Sequence, residues 1–167
     1  KDINENKDNK TDSTFNELSK WGIVEKKEIN NIKRVTAKRL YNSWINIPHV
    51  TQFDEVDITE IDKTRLTLKK INKNPKIKVS LLPFFMKTIA KVLKEIPIFN
   101  TSLSDDKKFL IYKKFYNIGI AIDTPRGLVV PVIKNVNKKN IKTLTEELTK
   151  IIYKSKEKRL SIKDMTG

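Results

Sequence analysis

Three observations predict an α/β fold, a two-layer sandwich with a mixed sheet. Stretches with apolar residues three and four apart alternate with short β-branched runs, the pattern of helices interleaved with strands. Residues 117–133 place two apolar, β-branched runs on either side of Asp123-Thr124-Pro125-Arg126-Gly127, which reads as a strand, a tight reversal and a second strand. The 167 residues are enough for one domain that buries about 70% of its unfolded surface.

Residues 1–14 hold one apolar side chain, Ile3, among Lys, Asp, Asn, Glu, Ser and Thr. Such a stretch cannot offset its own ordering entropy, and a disordered linker is expected. Residues 15–167 then form the folded domain, opening with an arm over 15–28. In that arm Phe15, Leu18, Trp21, Ile23 and Val24 are apolar islands without a helical period, and they need a surface to rest on. The first helix carries Ile29, Ile32, Val35 or Thr36, Leu40 and Trp44 along one side and is ended by Pro48. Residues 50–56 alternate polar and apolar and read as a strand.

Thr59, with Asp62 three residues on, reads as the cap of a helix over 60–72 that buries Ile61, Leu68 and Ile71. Asn74-Pro75 breaks the chain. Ser80 is the expected cap of an apolar helix over 81–96, with Pro83 tolerated in its first turn and Pro97 at its end. Strands over 99–103 and 109–112 flank a turn at Asp105-Asp106. The apolar hairpin follows, expected to be buried on both strands. Pro125 presets φ for its turn and Gly127 supplies a permissive backbone. The last helix, 141–159, sets Leu144, Leu148, Ile151 and Ile152 on one side.

Composition narrows the function. With no cysteine, disulfides and thiolate nucleophiles are excluded, which suits a cytoplasmic location. No window approaches the ~20 apolar residues of a membrane span, and no signal peptide is visible. The formal charge of +15 suggests nucleic acid. Yet only five of the 35 basic residues are Arg, they are spread over helix faces, and aromatics do not interleave with them. A solvated basic surface is the better reading, with a field that helps to steer an anionic ligand.

Residues 117–133, Ile47-Pro48-His49-Val50-Thr51-Gln52-Phe53, Asp57-Ile58-Thr59-Glu60 and Pro97-Ile98-Phe99-Asn100-Thr101-Ser102-Leu103 together resemble the catalytic core domain of the dihydrolipoamide acyltransferases of 2-oxo acid dehydrogenase complexes. The resemblance runs in register from about residue 15 to 167 and is closest to acetyltransferases of bacterial pyruvate dehydrogenase. It implies a chloramphenicol-acetyltransferase-like fold, incomplete at its C-terminal side. It also implies homotrimers that build a larger hollow core, cubic with 24 subunits. Coenzyme A and a lipoyl group on an upstream domain are the implied acyl carriers. The pyruvate decarboxylase and dihydrolipoamide dehydrogenase components are the implied partners.

The family's catalytic His and Asp lie in a His-x-x-x-Asp-Gly signature after a Thr-x-Ser stretch, and residues 1–167 contain no such signature. The resemblance thus implies that this span is inactive by itself. A non-catalytic assembly or binding protein derived from the family stays open beside the enzyme reading.

His49 is the only histidine, hence the only side chain whose ordinary pKa suits base catalysis near neutrality. It follows a proline at a strand entry, and the family's catalytic His is a different residue; a structural role is expected. Arg65 is read from the residues either as a solvated helix Arg or, through its planar fork, as a phosphate ligand, and the resemblance sets it at the adenosine-phosphate end of coenzyme A. Asn100 is read as bonding either its own strand or the coenzyme. Asp123 either caps its own turn or, by resemblance, lines the substrate channel. Gly119 is read as a site of close packing, not as a phosphate cradle.

Overall fold

The computed structural model describes residues 9–157 and 159–167. The element order is α1 (Asn9–Ser19), α2 (Asn31–Asn46), α3 (Thr59–Ile71), α4 (Leu82–Glu95), β1 (Thr101–Leu103), β2 (Leu110–Tyr112), β3 (Ile118–Gly119), β4 (Val132–Ile133) and α5 (Ile141–Lys156). Short 3-10 turns at Pro97–Asn100, Val136–Lys138 and Ile162–Asp164 link or follow these elements.

The core is a sandwich of α4 and α5 on the apolar hairpin. Met86 and Ala90 of α4 meet Leu144, Leu148 and Ile151 of α5, and Ile120, Ile122, Ile133 and Val136 close the other side. Leu144 and Val136 are completely buried; burying one such side chain contributes about 1.5–3 kcal/mol. Asn140 caps α5, its side chain accepting from the Thr143 amide at 2.9 Å. Lys87 of α4 donates to the carbonyls of Asn137 and Lys139 at 2.8 and 2.6 Å, fastening α4 to the turn before α5. The Asn135 amide donates to the Asn117 side chain at 2.8 Å, which closes the base of the hairpin.

The hairpin register is Ile118 opposite Ile133 and Gly119 opposite Val132, with a bridge at Ile122–Val129. Burial follows its two-residue period. Ile120, Ile122 and Ile133 are buried, whereas Leu128 and Val130 keep 40% and 46% of their surface exposed, so only one face is buried, not both strands throughout. Gly119 is a close-packing site: a Cβ there would stand 3.0 Å from Val130 Cγ1.

Several expectations are corrected. Residues 9–14, expected as part of a disordered linker, are helical, the opening turns of α1, which runs on to Ser19 and takes in the start of the arm; the expectation for 1–8 lies outside the described residues. Local hydrogen bonding makes this helix, for Ser19 bonds back to the Phe15 carbonyl at 2.8 Å. Residues 50–56 form no strand. Val50, Phe53 and Val56 are 80–93% exposed, and alternation without a neighbouring ladder leaves a strand nothing to pair with. Both sheets are two-stranded and antiparallel, so no mixed sheet forms among the described residues. Each strand pairs with its chain neighbour through a short connection, whereas parallel pairing needs a long crossover.

Two caps also differ. The N-cap before α3 is Ile58, and Asp57 supplies the acceptor, taking hydrogen bonds from both the amide and the hydroxyl of Thr59. The N-cap of α4 is Leu81, not Ser80. A cap at Ser80 would put Pro83 at the third helical position, where it has no amide to donate. The last helix ends at Lys156 rather than 159. Finally, α2 and α3 bury none of their residues in this chain: Leu40, Trp44 and Ile71 are 61%, 74% and 67% exposed, so their apolar faces stand open.

Candidate functional site

Arg65 lies in the middle of α3, and its side chain is only 21% exposed. Its Nε donates to Asp62 Oδ1 at 2.7 Å, a pair one turn apart on the same helix. That hydrogen bond holds the Asp62 carboxyl below, and the Arg65 guanidinium above, their ordinary pKa values. Both groups are charged across the neutral range. The bond engages Nε, and the two terminal amino groups make up the fork that suits a phosphate.

One turn further along α3, Leu68 opens a cleft of about 650 Å³. Leu68, Ile71, Ile77, Val79 and Ile141 make it largely apolar, and α5 contributes its first turns as the far wall. Two of the polar groups at its edge are used internally, Asn72 donating to the carbonyls of Asn74 and Ile77 and Thr145 to that of Ile141, while Lys73, Lys142 and Glu146 add charge to the rim. An apolar trough beside a fixed guanidinium suits a flexible, largely apolar chain that ends in phosphate. Sequence reasoning missed this cleft. Leu68 and Ile71 were legible as an apolar face, but the loop through Ile77 and Val79 that completes the wall carries no periodic signal.

Asn100 closes the 3-10 turn before β1. Both protons of its side-chain amide are donated to backbone carbonyls, of Lys113 at 2.9 Å and Phe115 at 3.0 Å. Its own carbonyl accepts the Lys113 amide at 2.9 Å. The side chain thus bonds the backbone that follows β2, across from its own strand, and Asn100 fixes the segment that leads from β2 into β3. Only its side-chain oxygen remains to meet a ligand.

Asp123 is exposed at the start of the hairpin turn. The turn is built by its neighbours: Thr124 Oγ1 donates to the Gly127 carbonyl at 2.6 Å, and the Gly127 amide to the Thr124 carbonyl at 2.8 Å. Gly127 has φ of +124°, a conformation that only glycine adopts readily. Arg65, Asn100 and Asp123 thus sit on three separate elements, and no contact joins them within this chain's described residues. His49 is exposed and stacks on Trp44, ring centres 5.2 Å apart. No carboxylate or hydroxyl partner is seen for it among the described residues.

Comparison with known proteins gives the same picture over most of the chain. Residues 22–167 match the model of the 2-oxoacid dehydrogenases acyltransferase catalytic domain. The dihydrolipoyllysine-residue acetyltransferase component of the pyruvate dehydrogenase complex from Haemophilus influenzae is 43% identical over 153 residues, 90% of this chain and 27% of that protein. Its counterpart from Buchnera aphidicola subsp. Schizaphis graminum is 48% identical over 140 residues, 82% of this chain and 35% of that protein. This chain therefore spans about a quarter to a third of these relatives. Among solved structures, the cubic core of the pyruvate dehydrogenase multienzyme complex superposes with a TM-score of 0.85 at 40% identity, covering 90% of this chain and 62% of that one. The dihydrolipoamide acetyltransferase of Azotobacter vinelandii superposes equally well, at 0.85 and 39% identity over the same shares. With the model matched over residues 22–167 and the core fold shared, this chain belongs to the family of 2-oxoacid dehydrogenase acyltransferase catalytic domains.

Proposed function

We propose that this chain is the coenzyme side of a dihydrolipoyllysine-residue acetyltransferase core, which passes an acetyl group between a dihydrolipoyl arm and coenzyme A in a pyruvate dehydrogenase complex. The observation that carries this reading is the agreement at a TM-score of 0.85 with a pyruvate dehydrogenase core over 90% of the chain. Arg65, held by Asp62, meets the adenosine-phosphate end of the coenzyme, and the apolar cleft beyond Leu68 accepts its flexible chain. The turn that carries Asp123 lines the approach of the other thiol. Asn100 serves the site by fixing the segment into β3.

The chemistry is a thioester exchange. A base takes the proton of the attacking thiol, whose ordinary pKa of about 8.5 leaves little thiolate at neutral pH. The thiolate adds to the acetyl carbonyl, a hydroxyl donor stabilises the oxyanion, and the departing thiolate takes up the proton. We assign base and hydroxyl donor to a segment other than residues 1–167, which hold no His-x-x-x-Asp-Gly signature.

Assembly follows from the open apolar faces. Trp21, Ile23 and Phe53 are 90–105% exposed, and the Trp44 face of α2 is open as well, more apolar surface than a solitary chain tolerates. Homotrimers associating into a cubic, 24-subunit core would cover it. Such a core would bind the pyruvate decarboxylase and dihydrolipoamide dehydrogenase components in the cytoplasm. Among the described residues, no helix is long and apolar enough to cross a membrane.

Acetyl transfer from acetyl-coenzyme A to dihydrolipoamide by the native polypeptide tests this reading. Transfer is expected there, and none from residues 1–167 expressed by themselves. A native polypeptide that assembles into trimers without any transfer would favour the assembly-protein alternative. Turnover by residues 1–167 that is lost in His49→Ala would return His49 to catalysis.

A further inference from the structure

We infer that Asn30, at the N-terminus of α2, is a positioning residue for the Asp123 turn, an inference that rests on the reading of Asp123 as a wall of the thiol channel. Asn30 uses its side chain in two directions. Its Oδ1 accepts the Lys33 amide at 2.9 Å, which caps α2, while its Nδ2 donates to the Arg126 carbonyl at 3.0 Å, 96 residues away in sequence. Both partners are backbone groups of fixed polarity, so the orientation of the amide is settled: turned over, it would set N–H against N–H and oxygen against oxygen.

Packing places the same two elements together. A Cβ on Gly127 would stand 3.4 Å from both Ile32 Cγ2 and Lys33 Cγ, so the turn rests on the first turn of α2. Inside the turn, Thr124 and Gly127 close the loop upon themselves. That closure sets the shape of the turn but not its place on the scaffold; Asn30 supplies the tie to α2. Residues 20–30 run straight from the arm into this cap, so the seating of the arm and the position of Asp123 share one anchor.

The two roles of Asn30 separate by substitution. Asn30→Asp and Asn30→Ser keep a capping oxygen, yet the carboxylate has no proton to donate and the Ser hydroxyl, one bond shorter than Nδ2 and held at the capping position, falls short of the Arg126 carbonyl. In the native polypeptide, both variants should retain the slow hydrogen exchange of α2. Exchange in a peptide spanning 123–130 should accelerate about two- to tenfold, the worth of one hydrogen bond. The KM for dihydrolipoamide should rise about two- to tenfold with kcat within about twofold, and Asp123→Asn should raise KM as well.

Unchanged exchange over 123–130 would overturn the inference. So would faster exchange with an unchanged KM while Asp123→Asn raises it, since the tie would then not position the carboxylate. Faster exchange with KM unchanged in all three variants would refute the placement of Asp123 at the channel, and with it the positioning role, while leaving the tie itself intact.

Discussion

Replacing Asn100 by Ala should destabilise the domain while leaving coenzyme affinity nearly intact. The half-buried side chain donates two hydrogen bonds, to the Lys113 carbonyl at 2.9 Å and the Phe115 carbonyl at 3.0 Å. The bond from the Lys113 amide to the Asn100 carbonyl is backbone and survives the change. Each lost bond contributes about 0.5–1.5 kcal/mol net, so the pair amounts to about 1–3 kcal/mol. For a domain of this size that corresponds to a fall in Tm of about 3–10 °C at fixed protein concentration. Urea unfolding followed by far-ultraviolet circular dichroism should show a lower midpoint and an unchanged slope. Asn100→Asp should be worse, since it removes both donors and turns carboxylate oxygens toward two carbonyls. Calorimetric titration with coenzyme A completes the test. An unchanged urea midpoint together with a tenfold loss of coenzyme affinity would show that the side chain acts on the ligand and not on the strand.

Three further outcomes are expected. Arg65→Ala should weaken coenzyme A binding about tenfold to a hundredfold, with partial rescue by Lys, which has charge without the planar fork; the loss should shrink for an analogue without the ribose 3′-phosphate, as read by titration at low salt. Leu144→Ala, at a completely buried position, should cost about 3–5 kcal/mol in urea unfolding. Asp164 closes a capping box with Ser161 and meets Lys154 at 3.3 Å; the bonds from the Ser161 amide and hydroxyl, then Lys154, hold its carboxyl below the ordinary 3.8. A lowered folded pKa stabilises above the unfolded value and is lost as pH falls through the folded one. Amide exchange over 161–166 should therefore be flat from about pH 5 to 8, once corrected for intrinsic rates, and accelerate below about pH 4; in Asp164→Asn that acid step should vanish.

Local chemistry made much of this fold legible from the residues. The hairpin over 117–133 was readable because β-branched runs around Pro125 and Gly127 admit few other conformations. The amphipathic last helix was readable because Leu144, Leu148 and Ile151 recur with the helical period. The helix is buried where expected, the hairpin on one face only. The strand over 50–56 was misread because alternation describes only one side of a pairing, and no partner lies within reach among the described residues. The cap at Ser80 failed because Pro83 removes an amide, a detail visible in the residues but decided by where the helix begins.

Motif content, carried by residues 117–133 and by the segments around Pro48, Asp57 and Phe99, was enough to place the chain in its acyltransferase family. It also singled out Arg65, Asn100 and Asp123 as chemistry-bearing positions. What each side chain holds was settled only in three dimensions. Arg65 is fixed by Asp62, Asn100 gives both protons to its neighbouring strand, and the Asp123 turn is tied to Asn30. The last of these joins residues 96 positions apart, and no periodicity or propensity extends that far. Hydrogen bonds depend on separations of about 3 Å; helical spacing within α3 supplies that for Arg65 and Asp62, whereas the ties of Asn100 and Asn30 exist only once the chain is packed.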